Sequence, residues 1–324
     1  MKDEPMKNHH TLTKAPALLL GLALAAAACA SDDDAAPANE PDTTITQAGD
    51  DAMEDDAMED GRPIITIAFE GLEPLGDDFE YELWTIVEGA PVSGGVFDID
   101  ASGEVIISGE THLYGHEGAT DVVISIEPAD DTDPAPAPAK PLGGAIAEDG
   151  SFVLGTSHPA TLGTDFADTS GQFILGTPSD GPDNNELSGL WFLRVPGPEA
   201  SLNLPDLPDG WVYEGWAVVD GTPISTGRFT DGGAADDFSG FSGPEGVPGY
   251  PGEDFVVNAP DGLSFPLDLR GGTAVISVEP AEDNSPAPFA LKPLVGEIPA
   301  DAESFSTYDL GAGPAPFSAT GSQG

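Results

Sequence analysis

The amino-acid sequence predicts an all-β protein with two tandem β-sandwich-like or open-barrel domains, preceded by an export signal and an acidic tether. Short runs of β-branched and aromatic residues alternate with turns drawn from 41 glycines and 32 prolines. Two of these runs occur twice in the same order. Outside the export signal, helices are not expected, because no stretch of eleven or more residues carries a helical period free of glycine and proline.

The repeated runs form two blocks. The first, Tyr81–Phe97, recurs 132 residues later as Tyr213–Phe229, with nine of 17 positions identical. The second, Ile124–Ala129, recurs 152 residues later as Ile276–Ala281. Two blocks found twice in one order predict a duplicated domain.

The predicted domains span residues 62–158 and 170–312. The block offsets differ by 20 residues (152 − 132), so the second copy carries an insertion of about that size. It falls within residues 230–272, a stretch rich in Gly, Asp and Pro that is typical of a surface loop. This loop is where we expect a partner to bind.

Each predicted domain contains several short strands. Trp84 and Trp216 occupy matching strand positions and are interpreted as core anchors, with ligand stacking as the alternative. From β-branched and aromatic content, strands are predicted over residues 64–69, 81–87, 104–108, 122–126, 172–175, 190–193, 201–204, 211–219 and 273–278.

Residues 1–28 have the pattern of a secretory signal. Three lysines precede the uncharged run Ala15–Ala28, which is too short to span a bilayer as a helix. Cys29 follows at once, in a context that resembles a bacterial lipobox. We therefore predict that Cys29 is acylated and anchors an exported protein to a membrane of the cell envelope. The alternative is cleavage after Ala28 or Ala30, which would release a soluble secreted protein.

Residues 29–61 are predicted to be a disordered acidic tether. They are rich in Ala, Asp, Glu and Pro and have few large apolar residues, so they cannot bury enough surface to offset the entropy of ordering. The five-residue sequence that starts at Asp51 is repeated at once from Asp56. Such a repeat is typical of a spacer that holds folded domains away from a membrane.

The charge of the chain excludes one class of partner. With 58 acidic and 9 basic residues, the formal net charge is −49. Nucleic acid needs a positive protein surface to release its counterions, so we expect no nucleic-acid binding. The single cysteine also excludes an intrachain disulfide and a zinc site built from cysteines.

One loop has the side chains of a hard-cation site. Five oxygen-bearing residues suited to calcium fall within seven positions, but without the order of an EF-hand, so a solvated turn is the alternative and no other cofactor is expected. These residues are Asp180, Asp183, Asn184, Asn185 and Glu186.

No motif in the sequence indicates catalysis. There is no Gly-x-Ser-x-Gly elbow and no phosphate-binding Gly-x-x-x-x-Gly-Lys loop. Carboxylates are abundant, but nothing singles out a catalytic pair. We therefore predict a protein that is not an enzyme, with an unrecognised envelope hydrolase as an alternative.

The repeated blocks resemble a known family through a set of residues that occurs in both copies: Tyr81, Trp84, Pro91, Ser93, Gly95, Glu127 and Pro128 in the first, and Tyr213, Trp216, Pro223, Ser225, Gly227, Glu279 and Pro280 in the second. The pattern is similar to the C-terminal, extracytoplasmic domain of the anti-sigma-K factors. The resemblance implies a regulatory role and supplies no catalytic residues.

Members of that family hold a sigma factor through a cytoplasmic domain joined to a membrane helix. Ahead of residue 62 this sequence shows only a signal, a cysteine and a tether. We therefore expect a binding or sensor module that contacts an envelope protein or polymer, with the lipid anchor as its link to the membrane. The alternative is an accessory regulator of a sigma/anti-sigma system, with an anti-sigma factor as partner.

Overall fold

A computed structural model of the chain describes residues 58–59 and 61–324. The predicted signal, Cys29 and nearly all of the tether lie outside these residues. The part of the chain described consists of β-strands, turns and one short 3-10 helix, Pro178–Asp180. The prediction of an all-β fold is confirmed. None of the described helical structure has the length and apolarity that a membrane crossing requires.

The strands fall into two groups, which we call modules. The first module comprises nine consecutive strands and the last strand of the chain, and the second comprises the ten strands between them. The strands of the first group are β1 Met58–Glu59, β2 Arg62–Glu70, β3 Phe79–Val87, β4 Ala90–Ile99, β5 Val105–Ile107, β6 Leu113–Tyr114, β7 Ala119–Pro128, β8 Leu142–Ala145 and β9 Ser151–Leu154.

The second module begins after a 16-residue connection that follows β9. Its strands, and the final strand that returns to the first module, are β10 Gly171–Leu175, β11 Gly189–Trp191, β12 Leu193–Arg194, β13 Glu199–Ala200, β14 Trp211–Val219, β15 Thr222–Phe229, β16 Gly252–Asp254, β17 Thr273–Pro280, β18 Leu294–Glu297, β19 Thr307–Ala312 and β20 Ser318–Gln323.

All strand pairs are antiparallel, and the two modules share a strand order. In the first module one sheet runs β5-β4-β3-β7-β8, and a second runs β1-β2-β20-β9 with β6 also paired to β2. In the second module one sheet runs β15-β14-β17-β18-β19-β10-β11-β16. The series β4-β3-β7-β8 therefore matches β15-β14-β17-β18.

The registers of these matching strands also agree. Trp84 lies opposite Val123 of β7 and Ser93 of β4, with a β-bulge just before it. Trp216 lies opposite Val275 of β17 and Ser225 of β15, again directly after a bulge. The extra residue of each bulge is Gly94 of β4 or Thr226 of β15. A bulge bends the strand that carries the extra residue, so β4 and β15 bend at the same position.

Strand β20 was not predicted from the sequence. Its residues, 318–323, lie beyond the predicted end of the second domain, and they pair with β2 and β9 of the first module. The strand has no alternation of large apolar residues. Its position is set by the backbone groups of its two neighbours, which lie far away in sequence.

The two modules share one hydrophobic core, and the described residues belong to a single compact unit. Phe317, just before β20, packs edge-on against Phe289 of the second module at 5.9 Å between ring centroids. Nearby, the Ala290 N–H donates to the Glu73 carboxylate at 2.9 Å. Apolar burial and a partly buried hydrogen bond therefore both join the modules.

Candidate functional site

The motif residues of the first module form a buried hydrogen-bond chain. The Trp84 indole N–H donates to Ser125 Oγ at 2.7 Å, and the Ser125 hydroxyl donates to the Glu127 carboxylate. Glu127 also accepts the Ala137 N–H at 2.8 and 3.1 Å from its two oxygens. Lys140 donates to the Ala137 carbonyl at 2.5 Å. Ser125 and Glu127 can act together because residues two apart on a strand share a face.

The second module contains the same chain of contacts. Trp216 donates to Ser277 Oγ at 2.8 Å, and the Ser277 hydroxyl donates to Glu279. Glu279 accepts the Phe289 N–H at 3.0 and 3.2 Å. Lys292 then donates to the Phe289 carbonyl at 2.6 Å. In each module this chain fixes the proline-rich loop that follows β7 or β17 against the central sheet.

The burial of these charged groups shifts their pKa values. Desolvation raises the pKa of Glu279 to about 7, against the opposing effect of the Ser277 and Phe289 hydrogen bonds. Desolvation also lowers the pKa of Lys292, although the nearby Glu73 and Glu279 carboxylates oppose the shift. The Glu279 carboxyl therefore gains a proton more readily in the folded protein than in the unfolded chain.

The Pro-x-Ser-x-Gly part of the motif shapes an edge hairpin. Before it, Glu88-Gly89 and Asp220-Gly221 make the β3–β4 and β14–β15 turns, and all four residues have positive φ. Two-residue hairpin turns of this kind match the twist of the flanking strands. Pro91 and Pro223 follow on stretches paired on one side only, where a missing N–H costs no ladder bond.

The serine and the glycine of the Pro-x-Ser-x-Gly sequence complete the hairpin. Ser93 donates to Glu82, and Ser225 donates to Glu214. Gly95 and Gly227 directly follow the extra residues of the bulges and have φ of +119° and +123°, a conformation that favours glycine.

Tyr81 and Tyr213 fix the chain that leads into each central strand. The Tyr81 hydroxyl donates to the Glu73 carbonyl at 2.9 Å, and the Tyr213 hydroxyl donates to the Pro205 carbonyl at 2.7 Å. Both acceptors lie eight residues earlier in the sequence, and both tyrosine rings are buried. The family motif therefore consists of side chains whose polar groups are used within the fold, so these polar groups are not available to a ligand.

The loop of residues 230–272 contains buried acidic side chains of its own. Glu253 and Asp254 of β16 are fully buried. Asp254 accepts the Trp191 indole N–H and the Ser179 N–H, each at 2.8 Å, together with the Ser179 hydroxyl. Glu253 accepts the Ser242 hydroxyl, the Phe241 N–H and the Asp254 N–H.

Asp236 connects the loop to its own short strand. Its carboxylate accepts the Gly252 N–H at 2.7 Å and the Phe238 N–H at 3.2 Å. Burial raises the pKa of Asp236 to about 7, and the charges of Glu253 and Asp237 contribute to the shift. We did not predict these buried acids from the sequence. The apolar residues that flank Glu253-Asp254, from Tyr250 to Val257, were the available signal.

An apolar groove lies between this loop and the sheet of the second module. Its volume is about 300 Å³. Phe238, which is 38% exposed, packs edge-on against Phe241 at 4.9 Å. Asp261 supplies an exposed carboxylate at the groove, whereas the Glu214 carboxylate is buried and pairs with Arg228 at 3.4 Å. Its apolar lining is formed by Trp216, Pro223, Ile224, Phe238, Phe241, Pro260, Leu263 and Pro286.

The candidate calcium loop is held by contacts among its own residues. Asn185 donates to the Asp180 carboxylate, and Asn184 donates to the Asp180 carbonyl at 3.2 Å. The Glu186 carboxylate accepts the Thr177 N–H at 3.0 Å. Within residues 58–59 and 61–324, no group of three or more His, Cys, Asp or Glu side chains could hold a metal ion.

The buried acids predict that stability falls as pH rises. Glu279 and Asp236 bind protons more tightly when folded, so their stabilising effect is full below the unfolded pKa values of 4.5 and 3.8 and is lost as pH rises to about 7. We expect urea midpoints to decrease between pH 4.5 and 7.5, with about 3 kcal/mol arising from Glu279.

The Glu279→Gln variant is the control for this pH dependence, because it keeps an acceptor oxygen but cannot ionise. Its midpoints should vary less with pH than those of the parent. An equal pH dependence in parent and variant, measured at high salt to suppress general charge repulsion, would contradict the assignment to Glu279.

Comparison with known proteins gives one match. Residues 12–142 match the family model described as anti-sigma-K factor rskA, C-terminal. This range contains β1 to β7 and the first copy of the motif residues. No curated protein and no solved structure matches. This part of the chain is therefore similar to the C-terminal region of the anti-sigma-K factors, the family that the sequence motifs indicate.

Proposed function

We propose that the protein is an exported lipoprotein, anchored through Cys29, whose two β modules arose by duplication and act as a non-catalytic binding or sensor module of the cell envelope. The two blocks of sequence identity support the duplication. The matching strand order and the paired Trp84 and Trp216 hydrogen-bond chains support it as well. The similarity to a regulatory family supports a role in signalling rather than in chemistry.

The groove beside the inserted loop is the observation that carries the binding role. Its floor is apolar and aromatic, and Phe238 is exposed although a carboxylate network holds the surrounding loop in place. Exposed aromatic side chains on a rigid frame are typical of binding sites for proteins and polymers. The exposed carboxylate of Asp261 favours a partner that presents an apolar group next to a positive charge.

Replacing Phe238 by serine tests this role. Phe238→Ser should reduce recovery of specific envelope components by tenfold or more, because it removes the exposed aromatic surface of the groove. Phe305→Ser is the matched control, since Phe305 is 51% exposed and is not a lining residue of the groove. Quantitative mass spectrometry of pull-downs from solubilised envelopes provides the measurement. Equal recovery with both variants would contradict the assignment of the groove.

Membrane attachment is tested separately by Cys29→Ser. The acylated parent should enter the detergent phase in a two-phase partition, whereas the variant should stay in the aqueous phase, because an acyl chain supplies the apolar surface for membrane binding. A variant that partitions like the parent would show that the anchor is not at Cys29.

A second role is favoured by the family match. The protein would act as an accessory regulator of a sigma/anti-sigma system, through contact with an anti-sigma factor outside the cytoplasm. Recovery of an anti-sigma factor with the wild-type protein, and its loss with Phe238→Ser, would support this role and assign it to the same groove.

A further inference from the structure

Strand β20 fills a groove in the first module. It lies between β2 and β9 and pairs with both, from Glu70 opposite Ser318 to Ile65 opposite Gln323 on the β2 side. Beyond the strand, the Gly324 N–H donates to the Ile64 carbonyl at 3.0 Å. Without β20, the facing edges of β2 and β9 would expose unpaired backbone groups.

Strand β10 fills the equivalent place in the second module. It lies between β19 and β11, as β20 lies between β9 and β2. The registers agree: Gly171 pairs with Leu310 as Ala319 pairs with Leu154. The two grooves therefore receive their strands in the same alignment.

The connections to these strands cross between the modules. The chain leaves β9 of the first module through residues 155–170 and enters β10, which completes the second module. It leaves β19 of the second module through residues 313–317 and enters β20, which completes the first. The strand after β9 thus completes the second module, and the strand after β19 completes the first. This is the geometry of a reciprocal strand exchange, closed within one chain.

We propose that the groove between β2 and β9 also accepts β20 from a second copy of this chain, so that copies associate by strand exchange. The closed chain and the exchanged assembly make the same contacts within the groove. They differ only in the path of residues 313–317 and in the entropy of association. Every copy carries both the strand and its groove, so the partner has the required register.

The charge of the strand favours this exchange. In a chain with a net charge of −49, residues 310–324 contain no charged side chain. The segment that must approach another copy therefore adds no side-chain charge to their mutual repulsion. The backbone hydrogen bonds of β20 supply most of the attachment, since Phe317 and Ala319 are the buried apolar side chains of residues 313–324.

The connection before β20 suits an extended path. It reads Gly313-Pro314-Ala315-Pro316-Phe317, where each proline fixes its own φ and biases the preceding residue to extended backbone. A stiff, extended hinge can direct β20 to another molecule as readily as back to its own.

Two single-cysteine chains test the proposal, both in the Cys29→Ser background. One carries Val153→Cys and the other Thr320→Cys, because these residues are opposite each other in the β9–β20 register and both are exposed. When each chain is closed on itself, the two introduced cysteines lie far apart on separate molecules. In the exchanged form they are neighbours. We expect coexpressed, oxidised chains to give the mixed disulfide dimer several-fold above either homodimer, by non-reducing gels and mass spectrometry.

A third variant shows whether the dimer depends on the groove. Adding Gly321→Val to the Thr320→Cys chain should abolish the excess of mixed dimer, because the new Cβ would meet the Thr66 carbonyl and the Phe152 ring at 2.5 Å. A mixed dimer no more abundant than the homodimers would overturn the proposal and leave β20 bound within its own chain. Persistence of the excess with Gly321→Val would assign the association to another surface and would also overturn it.

Discussion

Replacing Gly321 by valine is expected to destabilise the protein by about 3 kcal/mol, at the upper end of the usual cost of overpacking. The valine Cβ would lie 2.5 Å from both the Thr66 carbonyl and the Phe152 ring, so β20 could not keep its distance from β2 and β9. Chemical denaturation of the purified protein measures the effect.

Thr320→Val is the control for this prediction. Thr320 is the neighbouring residue of the same strand, but it is exposed, and valine suits a strand at least as well as threonine. Its free energy of unfolding should stay within about 0.5 kcal/mol of the parent. Similar losses for both variants would show that β20 tolerates no change at all, and no loss for Gly321→Val would show that the strand is not seated as described.

Replacing either matched tryptophan by alanine is expected to cost about 3–5 kcal/mol. Trp84 and Trp216 are 3% and 2% exposed, and each indole N–H satisfies a buried serine. Trp216→Phe should cost less, about 1–3 kcal/mol, because it retains most of the packing but leaves the Ser277–Glu279 chain without its donor. Urea unfolding followed by circular dichroism provides the free energies.

Equal losses at Trp84 and Trp216 would agree with equivalent roles in the two modules. A loss at Trp84 with a neutral substitution at Trp216 would mean that the second tryptophan serves the neighbouring groove rather than the core.

The central strands could be predicted from the sequence because their residues carry the pattern of a buried sheet. β3, β7, β14 and β17 are rich in β-branched and aromatic residues, and Gly and Pro lie at or near their ends. The repeated blocks also indicated which residues correspond, and Trp84 and Trp216 lie in the core as interpreted.

Other strands could not be predicted because partners elsewhere in the chain determine them. β8 reads Leu-Gly-Gly-Ala, β16 reads Gly-Glu-Asp and β20 reads Ser-Ala-Thr-Gly-Ser-Gln, so none shows a strand pattern. Their backbone groups pair with neighbours already in place. For the same reason the buried Glu253 and Asp254 could not be distinguished from the many surface acids of this chain, since their burial depends on donors contributed by Ser179, Trp191 and Ser242.

The two modules are completed in the same way by strands that cross between them. Two double-cysteine variants in the Cys29→Ser background test this directly: Val153→Cys with Thr320→Cys, and Asp309→Cys with Gln172→Cys, which occupy equivalent register positions. The rate of intrachain disulfide formation in monomeric protein is the measurement. We predict that both pairs close at similar rates. Closure of the 172–309 pair without closure of the 153–320 pair would contradict the account.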